Sequence, residues 1–126
     1  MVRVATLYRD LADRMAELRT AHAAVDASRE VVLRALGDGH AHYGINTGFG
    51  VLCNIQISKE ETEALQYKLV QSHACGMGAE VPPQIVRLML LLKIQSLSHG
   101  FSGVRLELVE RLVTFFNQGI LPVVFE

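Results

Sequence analysis

The sequence predicts an all-α fold of about five helices, with an irregular glycine-rich loop after the second helix. Two observations support helices: apolar residues recur at helical spacing in most segments, and glycine or proline separates those segments. Hydrophobic residues make up 50% and charged residues 20% of the chain, which is ordinary globular usage. The exception is Tyr43–Gly50, where three glycines, an asparagine and a threonine indicate a tightly shaped loop that presents Tyr43.

The first two predicted helices are amphipathic. Four apolar residues form one stripe of the first helix: Leu7, Leu11, Met15 and Leu18. The second helix is predicted from about Asp26 to Leu36, and the Gly-Asp-Gly sequence at 37–39 is expected to end it. Its inward-facing residues are expected to be Val32, Ala35 and Leu36.

A third helix is predicted from about Lys59 to Ala74, because Ser58 and Glu61 form a capping-box pattern at its start. One face follows the spacing i, i+4, i+7 and i+8, and it comprises Leu65, Leu69, Ser72 and His73. The last two residues continue an apolar stripe, so they are expected to point inward.

The last two predicted helices are the most apolar. The fourth, from about Pro83 to Leu97, has no polar face, so part of its surface is expected to stay exposed in a chain of 126 residues. The fifth runs from about Gly103 to Gln118, and Leu121–Phe125 begins an extended segment. The inward residues of the fifth helix are expected to be Val104, Leu108, Leu112, Phe115 and Phe116.

Composition disfavours several classes of function. A net charge of −1 gives no electrostatic reason to expect a nucleic-acid or anionic-membrane partner. The segment Met1–Arg19 is too charged for a signal peptide, and the most apolar run, Ile85–Leu97, is too short to span a bilayer. Cys53 and Cys75 lack metal-ligand spacing, so no metal site is expected. These features predict a cytoplasmic chain.

Three segments resemble the aromatic amino acid ammonia-lyase family, and histidine ammonia-lyases most closely. They are YGINTGFG at 43–50, LVQSHACGMG at 69–78 and VRLMLLLKIQSLSHGFSGVR at 86–105. The likeness runs from about Val25 to Pro122, whereas residues 1–24 match the family poorly. The resemblance implies that residues 1–126 are a single N-terminal helical segment of a larger lyase, with 42–57 as its active-site loop.

The resemblance also implies an activity, a cofactor and an assembly. Histidine ammonia-lyases remove ammonia from L-histidine without oxidation and leave urocanate. The family's electrophile is a methylideneimidazolone, which forms by itself from an Ala-Ser-Gly triplet. That triplet is absent from these 126 residues, so the isolated chain is expected to be inactive. Family members are homotetramers whose active sites are built from more than one subunit.

The tyrosine of the loop matches the family's catalytic base. A phenol is a weak base unless its surroundings favour the phenolate, and without the resemblance Tyr43 would more simply anchor the loop to a core. The neighbouring Asn46, Thr47 and Gly50 are then expected to shape the substrate pocket, and Gly50 lets substrate approach the backbone.

Ser72 and His73 match the pair that varies with substrate in the family. Phenylalanine lyases tend to carry Phe-Leu here, tyrosine lyases His-Leu and histidine lyases Ser-His. An imidazole at His73 can exchange a hydrogen bond with the imidazole of the substrate, which favours histidine over phenylalanine. The simpler alternative is a satisfied core histidine.

Two other interpretations of the chain stay open. One is a lyase or aminomutase that acts on another aromatic amino acid. The other is a non-catalytic helical interaction module, in which the same motifs serve packing alone.

Overall fold

The computed structural model describes residues 22–126, with Lys59 described by its backbone alone. These residues form four α-helices: α1 (Ala23–Gly37), α2 (Lys59–His73), α3 (Pro83–Ser98) and α4 (Leu106–Gln118). The only β pairing within residues 22–126 is two isolated bridges, so the all-α prediction is confirmed. The helix predicted around Leu7–Leu18 lies outside the described residues.

Contacts divide the chain into two compact units. The packed unit comprises, among the described residues, 22–30 and 78–126. The inserted unit is Val31–Met77, which lies between those two stretches in the sequence. All of the candidate site residues belong to the inserted unit.

The packed unit has an apolar core. Val25 of α1, Leu97 of α3 and Val109 of α4 form its buried cluster. α3 contributes the most to the core, and its Ile94 is 0% exposed. The buried residues of α3 are Val86, Leu90, Leu91, Ile94, Gln95 and Leu97. Burial of this apolar surface away from water is the main force that holds the unit together.

One face of α3 remains exposed, as its composition predicts. Ile85, Met89 and Leu92 follow the spacing i, i+4 and i+7, and each is at least 41% exposed. The neighbouring faces of α3 carry the buried core. An apolar helix therefore has two environments within this chain.

One predicted inward residue in each of α1 and α4 is exposed instead. In α4 the core residue is Val109, at 2% exposure, whereas Leu108 is 44% exposed. Leu106 and Leu112 pack on the core beside Val109, and successive residues differ by about 100° around a helix, so Leu108 turns away. In α1 Leu36 is likewise exposed, and the buried residue is Val25.

Hydrogen bonds tie distant segments of the packed unit together. The backbone N–H of Gly103 donates to Ser28 Oγ at 2.8 Å, and Arg29 Nη1 donates to the Gly103 carbonyl at 3.3 Å. The extended segment predicted near Leu121–Phe125 runs antiparallel to residues 79–81, through bonds such as Val81 N–H to Val124 O at 2.8 Å. No helix within residues 22–126 has both the length and the apolarity to cross a membrane.

Candidate functional site

The glycine-rich loop is organised around the side chain of Asn46. This residue is 4% exposed. Its Oδ1 accepts from the backbone N–H of His42 at 2.7 Å, and its Nδ2 donates to the carbonyl of His40 at 2.8 Å. Its own carbonyl accepts from the Ile57 N–H at 3.0 Å. Because the bonds to His42 and His40 occupy both ends of the amide, Asn46 fixes the backbone just before Tyr43.

The second half of the loop is closed by backbone pairing. Thr47 is buried and pairs with Gln56 in an antiparallel bridge, and the Gly48 N–H donates to Ile55 O at 3.2 Å. A Cβ at Gly48 would lie 2.6 Å from the Cβ of Leu52, so only glycine fits this approach.

Gly50 begins a short 3-10 turn over Gly50–Leu52. Its φ of +59° is in the left-handed region that favours glycine. No atom lies within 4 Å of the place that a Cβ would occupy, so the space beside this backbone is open.

The loop holds Tyr43 outward. Its side chain is 66% exposed, and its ring meets the ring of Phe49 edge to face with centroids 6.0 Å apart. No buried core surrounds the ring. The loop therefore presents the phenol while fixing the backbone beneath it.

A polar cluster precedes Tyr43. The carboxylate of Asp38 accepts from the His40 backbone N–H at 2.9 Å and lies 2.7 Å from Nε2 of His42. Two hydrogen bonds hold the pKa of Asp38 below its usual value. The bond from the His40 backbone has the larger effect, and the bond from the His42 ring has the smaller one. The sequence marked Asp38 only as part of a helix stop, so this role was missed.

The helix that carries Ser72 and His73 starts where the sequence predicts. Ser58 Oγ accepts from the Glu61 N–H at 3.2 Å, and the Glu61 carboxylate accepts from the Ser58 N–H at 3.0 Å. The capping box at the start of α2 is thus confirmed. α2 ends at His73, and Ala74 follows as its C-cap.

Ser72 and His73 are both exposed, so the expectation that they point inward in this chain is wrong. The reason is that residues 22–126 cover the stripe they continue only in part, since Leu65 and Leu69 are half-buried. Their polar atoms bond locally. The Ser72 hydroxyl donates to the Leu69 carbonyl at 3.0 Å, and Nδ1 of His73 lies 2.9 Å from that same carbonyl.

The predicted residues thus form two groups within the inserted unit. One loop brings together Tyr43, Asn46, Thr47 and Gly50, while Ser72 and His73 lie at the end of α2. Among the described residues, no bond joins the two groups. No three His, Cys, Asp or Glu side chains within residues 22–126 are placed to hold a metal ion. The sequence did not reveal Asn46 as the centre of the loop, although an asparagine among glycines is typical of such bonding.

A cavity of about 240 Å³ lies elsewhere, in the packed unit. Its lining is mostly apolar and includes Val81, Val86 and Leu121, with Glu80 as its one acid. None of the predicted site residues lines it. The candidate chemistry therefore depends on the exposed loop and helix end of the inserted unit.

Comparison with known proteins identifies the family of this chain. The model of the family described as "Aromatic amino acid lyase" matches residues 2–126. A histidine ammonia-lyase of Caldanaerobacter subterraneus subsp. tengcongensis is 48% identical over 99 residues, covering 79% of this chain. That of Bacillus subtilis is 48% identical over 100 residues. The chain spans 20% of the length of each of these relatives.

Solved structures agree with the sequence comparison. A tyrosine aminomutase is similar over 99% of this chain and 24% of its own, with a TM-score of 0.82 and 27% identity. The histidine ammonia-lyase of Trypanosoma cruzi is similar over 77% of this chain and 19% of its own, with a TM-score of 0.69 and 37% identity. The sequence and backbone comparisons agree, and the chain belongs to the aromatic amino acid lyase family.

Proposed function

We propose that this chain supplies the general base and the substrate-selecting helix end of a histidine ammonia-lyase. The reaction is the non-oxidative elimination of ammonia from L-histidine, which leaves urocanate. The observation that carries the proposal is the loop in which the Asn46 side chain holds the backbone at His40 and His42, just before an exposed Tyr43. The Ser72-His73 pair on α2 indicates that the substrate is histidine.

The base is Tyr43 in its phenolate form. Its oxygen takes a proton from the β-carbon of the substrate, and the electron pair of that C–H bond becomes the new Cα–Cβ double bond. The protonated amino group leaves the α-carbon as ammonia and takes the electron pair of the C–N bond. Fixing the backbone at His42 through Asn46 keeps the phenol in place, which matters because proton transfer requires hydrogen-bond reach.

The reaction also needs an electrophile, and the family resemblance implies a methylideneimidazolone. When present, that group supplies an electron-poor centre that activates the amino acid for loss of ammonia. Its parent triplet, Ala-Ser-Gly, is absent from these 126 residues, so no side chain of this chain would carry it. The loop fits such a neighbour, since Tyr43 is exposed and the space beside Gly50 is open.

Substrate choice is assigned to His73. Its exposed imidazole offers a polar partner to the ring of histidine, and a phenylalanine ring would leave that partner unpaired. Ser72 belongs to the same end of α2. Thr47 and Gly50 shape the loop that faces the amino acid, and the assembly is proposed to be a homotetramer.

A second candidate acts on another aromatic amino acid. It is supported by the tyrosine aminomutase, whose backbone is similar over 99% of this chain. The histidine ammonia-lyase structure has the higher identity, 37% against 27%. Because the Ser-His pair on α2 also favours histidine, the lyase remains the first proposal.

The test compares two tyrosines in the full-length enzyme. Tyr43→Phe is expected to lower kcat for L-histidine by about 10²–10⁴-fold, since that is the range for a lost general base. Tyr67→Phe is the control, because Tyr67 is similarly exposed on α2 but lies outside the loop. The rate of increase in urocanate absorbance measures kcat of both variants.

Two outcomes would count against the proposal. Near-normal turnover by Tyr43→Phe would remove the base role. Urocanate formation by the isolated 126-residue chain would show that the electrophile does not come from an Ala-Ser-Gly triplet elsewhere.

A further inference from the structure

Two oxygen atoms crowd one ring nitrogen of His73. Nδ1 lies 2.9 Å from the carbonyl oxygen of Leu69 and 2.9 Å from Oγ of Ser72. The Ser72 hydroxyl itself donates to that carbonyl at 3.0 Å. The three groups form a closed triangle on the last turn of α2.

The triangle determines which ring nitrogen carries the proton. A carbonyl oxygen can only accept, so an Nδ1 at 2.9 Å from Leu69 O must carry a hydrogen. In the other tautomer two lone pairs would face each other at that distance. The hydroxyl hydrogen of Ser72 points to Leu69, which leaves its oxygen to accept from the same Nδ1–H. In the neutral ring Nε2 is then a bare acceptor.

We propose that Ser72 is a positioning residue that holds His73 in the Nδ1–H tautomer and so makes Nε2 a fixed hydrogen-bond acceptor. The ligand is selected by the N–H of its ring. The tautomer follows from the bonds of α2 alone, whereas the identity of the ligand depends on the function proposed above.

The chemical class of ligand follows from the acceptor. An aromatic amino acid whose ring carries an N–H, such as an imidazole, pyrazole or pyrrole, can donate to Nε2. A ring with only acceptor atoms, such as a thiazole or pyridine, would place a lone pair against the Nε2 lone pair. A phenyl ring would leave Nε2 without a partner.

If His73 had a purely structural role, the Ser72 hydroxyl would not be needed. Histidine near the end of a helix commonly donates to one of the last carbonyls, and that bond alone would need no hydroxyl at position 72. The two roles therefore differ in what removal of the Ser72 hydroxyl does to the tautomer and to ligand choice.

The first measurement uses the 126-residue protein without any ligand. Nitrogen-15 NMR at alkaline pH, where histidine rings are neutral, distinguishes the two tautomers, and His73→Gln assigns the signals by difference. Nδ1–H is expected in the wild type, although free histidine in water favours Nε2–H. Ser72→Ala should change the tautomer ratio about 2- to 10-fold, the range for one net hydrogen bond. Ser72→Thr, which keeps the hydroxyl, should restore it.

An Nε2–H ring in the wild type, or an unchanged ratio in Ser72→Ala, would overturn the inference whatever the enzyme does. The other failure has two parts: the wild-type spectrum shows Nδ1–H, but a full-length His73→Leu variant keeps its substrate choice. That result would support the tautomer and count against the proposed function. The two failures are therefore separable.

The second measurement uses the full-length enzyme with two probes. Pyrrolylalanine has a ring donor and no ring acceptor, and thiazolylalanine has acceptors and no donor. The inhibition constants should favour pyrrolylalanine, and that preference should shrink about 2- to 10-fold in Ser72→Ala and return in Ser72→Thr. Equal inhibition by both probes in the wild type would refute a fixed acceptor.

Discussion

The interiors of the two units are stabilised in different ways. In the packed unit the most buried side chains are apolar, as at Val25, Ile94 and Val109. In the inserted unit the buried side chains are polar, namely those of Asn46 and Thr47. Many of its large apolar residues are instead exposed, among them Val51, Ile55 and Val70.

The difference separates scaffold from candidate chemistry. An apolar core gains stability from area and tolerates exchange of similar residues. A loop held by directed hydrogen bonds specifies one backbone path, because each bond needs its own donor and acceptor. Substitutions in the packed unit should therefore act mainly on stability, and those in the inserted unit mainly on local geometry and substrate choice.

The largest expected effect is on specificity. Replacing Ser72-His73 by Phe-Leu in the full-length enzyme should lower the preference for L-histidine over L-phenylalanine by about 10²-fold or more, because the polar partner is lost. Both positions are exposed in this chain, so its free energy of unfolding should change little. The ratio of kcat/KM for the two amino acids measures the effect.

Gln71→Leu is the control, since it adds an apolar group to the same exposed turn. An unchanged ratio in the Phe-Leu variant would remove these residues from substrate choice.

The next effect is on the stability of the packed unit. Ile94→Ala should lower the free energy of unfolding by about 2–5 kcal/mol, because it leaves a cavity at a fully buried position. Leu92→Ala on the same helix should cost about 1 kcal/mol, since Leu92 is 41% exposed. Denaturant titration measures both, and equal costs would mean that α3 lacks the two environments described here.

A smaller and local effect is expected at Asn46. Asn46→Ala removes the bonds to His42 N–H and His40 O, which should weaken the loop by about 1–3 kcal/mol. Hydrogen exchange at the His42 amide should quicken accordingly. Asn54→Ala is the control, because Asn54 is exposed. Equal exchange rates in the two variants would contradict the central role of Asn46.

The smallest effect concerns pH. The bonds from His40 and His42 lower the pKa of Asp38 in the folded chain. Its stabilising contribution is therefore present above the pKa of an unfolded aspartate, about 4, and is lost as pH falls through the lower folded value. Because the carboxylate is exposed, the effect should be small and weakened by salt.

The measurement compares the unfolding free energies of the wild type and Asp38→Asn from about pH 5 to about pH 2. The gap should narrow on acidification. A gap that widens as pH falls would reverse the assigned direction.

The features that the sequence predicted best are local ones. The start of α2 followed from Ser58 and Glu61, because a capping box involves only residues three apart. The end of α1 followed from the Gly-Asp-Gly sequence in the same way. The loop of 42–57 was recognised as irregular, since its glycines fit neither helix nor strand.

Features that depend on neighbours in space were predicted less well. Periodicity gave α4 an apolar face but could not choose Val109 over Leu108, because that choice depends on where α1 and α3 pack. The same reasoning predicted that Ser72 and His73 point inward, although residues 22–126 leave their stripe only partly covered. The sequence also did not predict the hydrogen bonds of Asn46, since bonding between a side chain and the backbone leaves no periodic signal.

The bond between Ser28 and Gly103 joins residues 75 positions apart. Forming the packed unit therefore closes the chain around the whole of Val31–Met77. The entropy of closing a flexible loop grows slowly with its length, by about 0.6 kcal/mol for each doubling. Insertions or deletions in the inserted unit should thus change the stability of the packed unit little. The packed unit should fold slowly, because Ser28 and Gly103 are far apart along the chain. The side-chain bonds of Asn46 should form early, because their partners, His42 and His40, are at most six residues away.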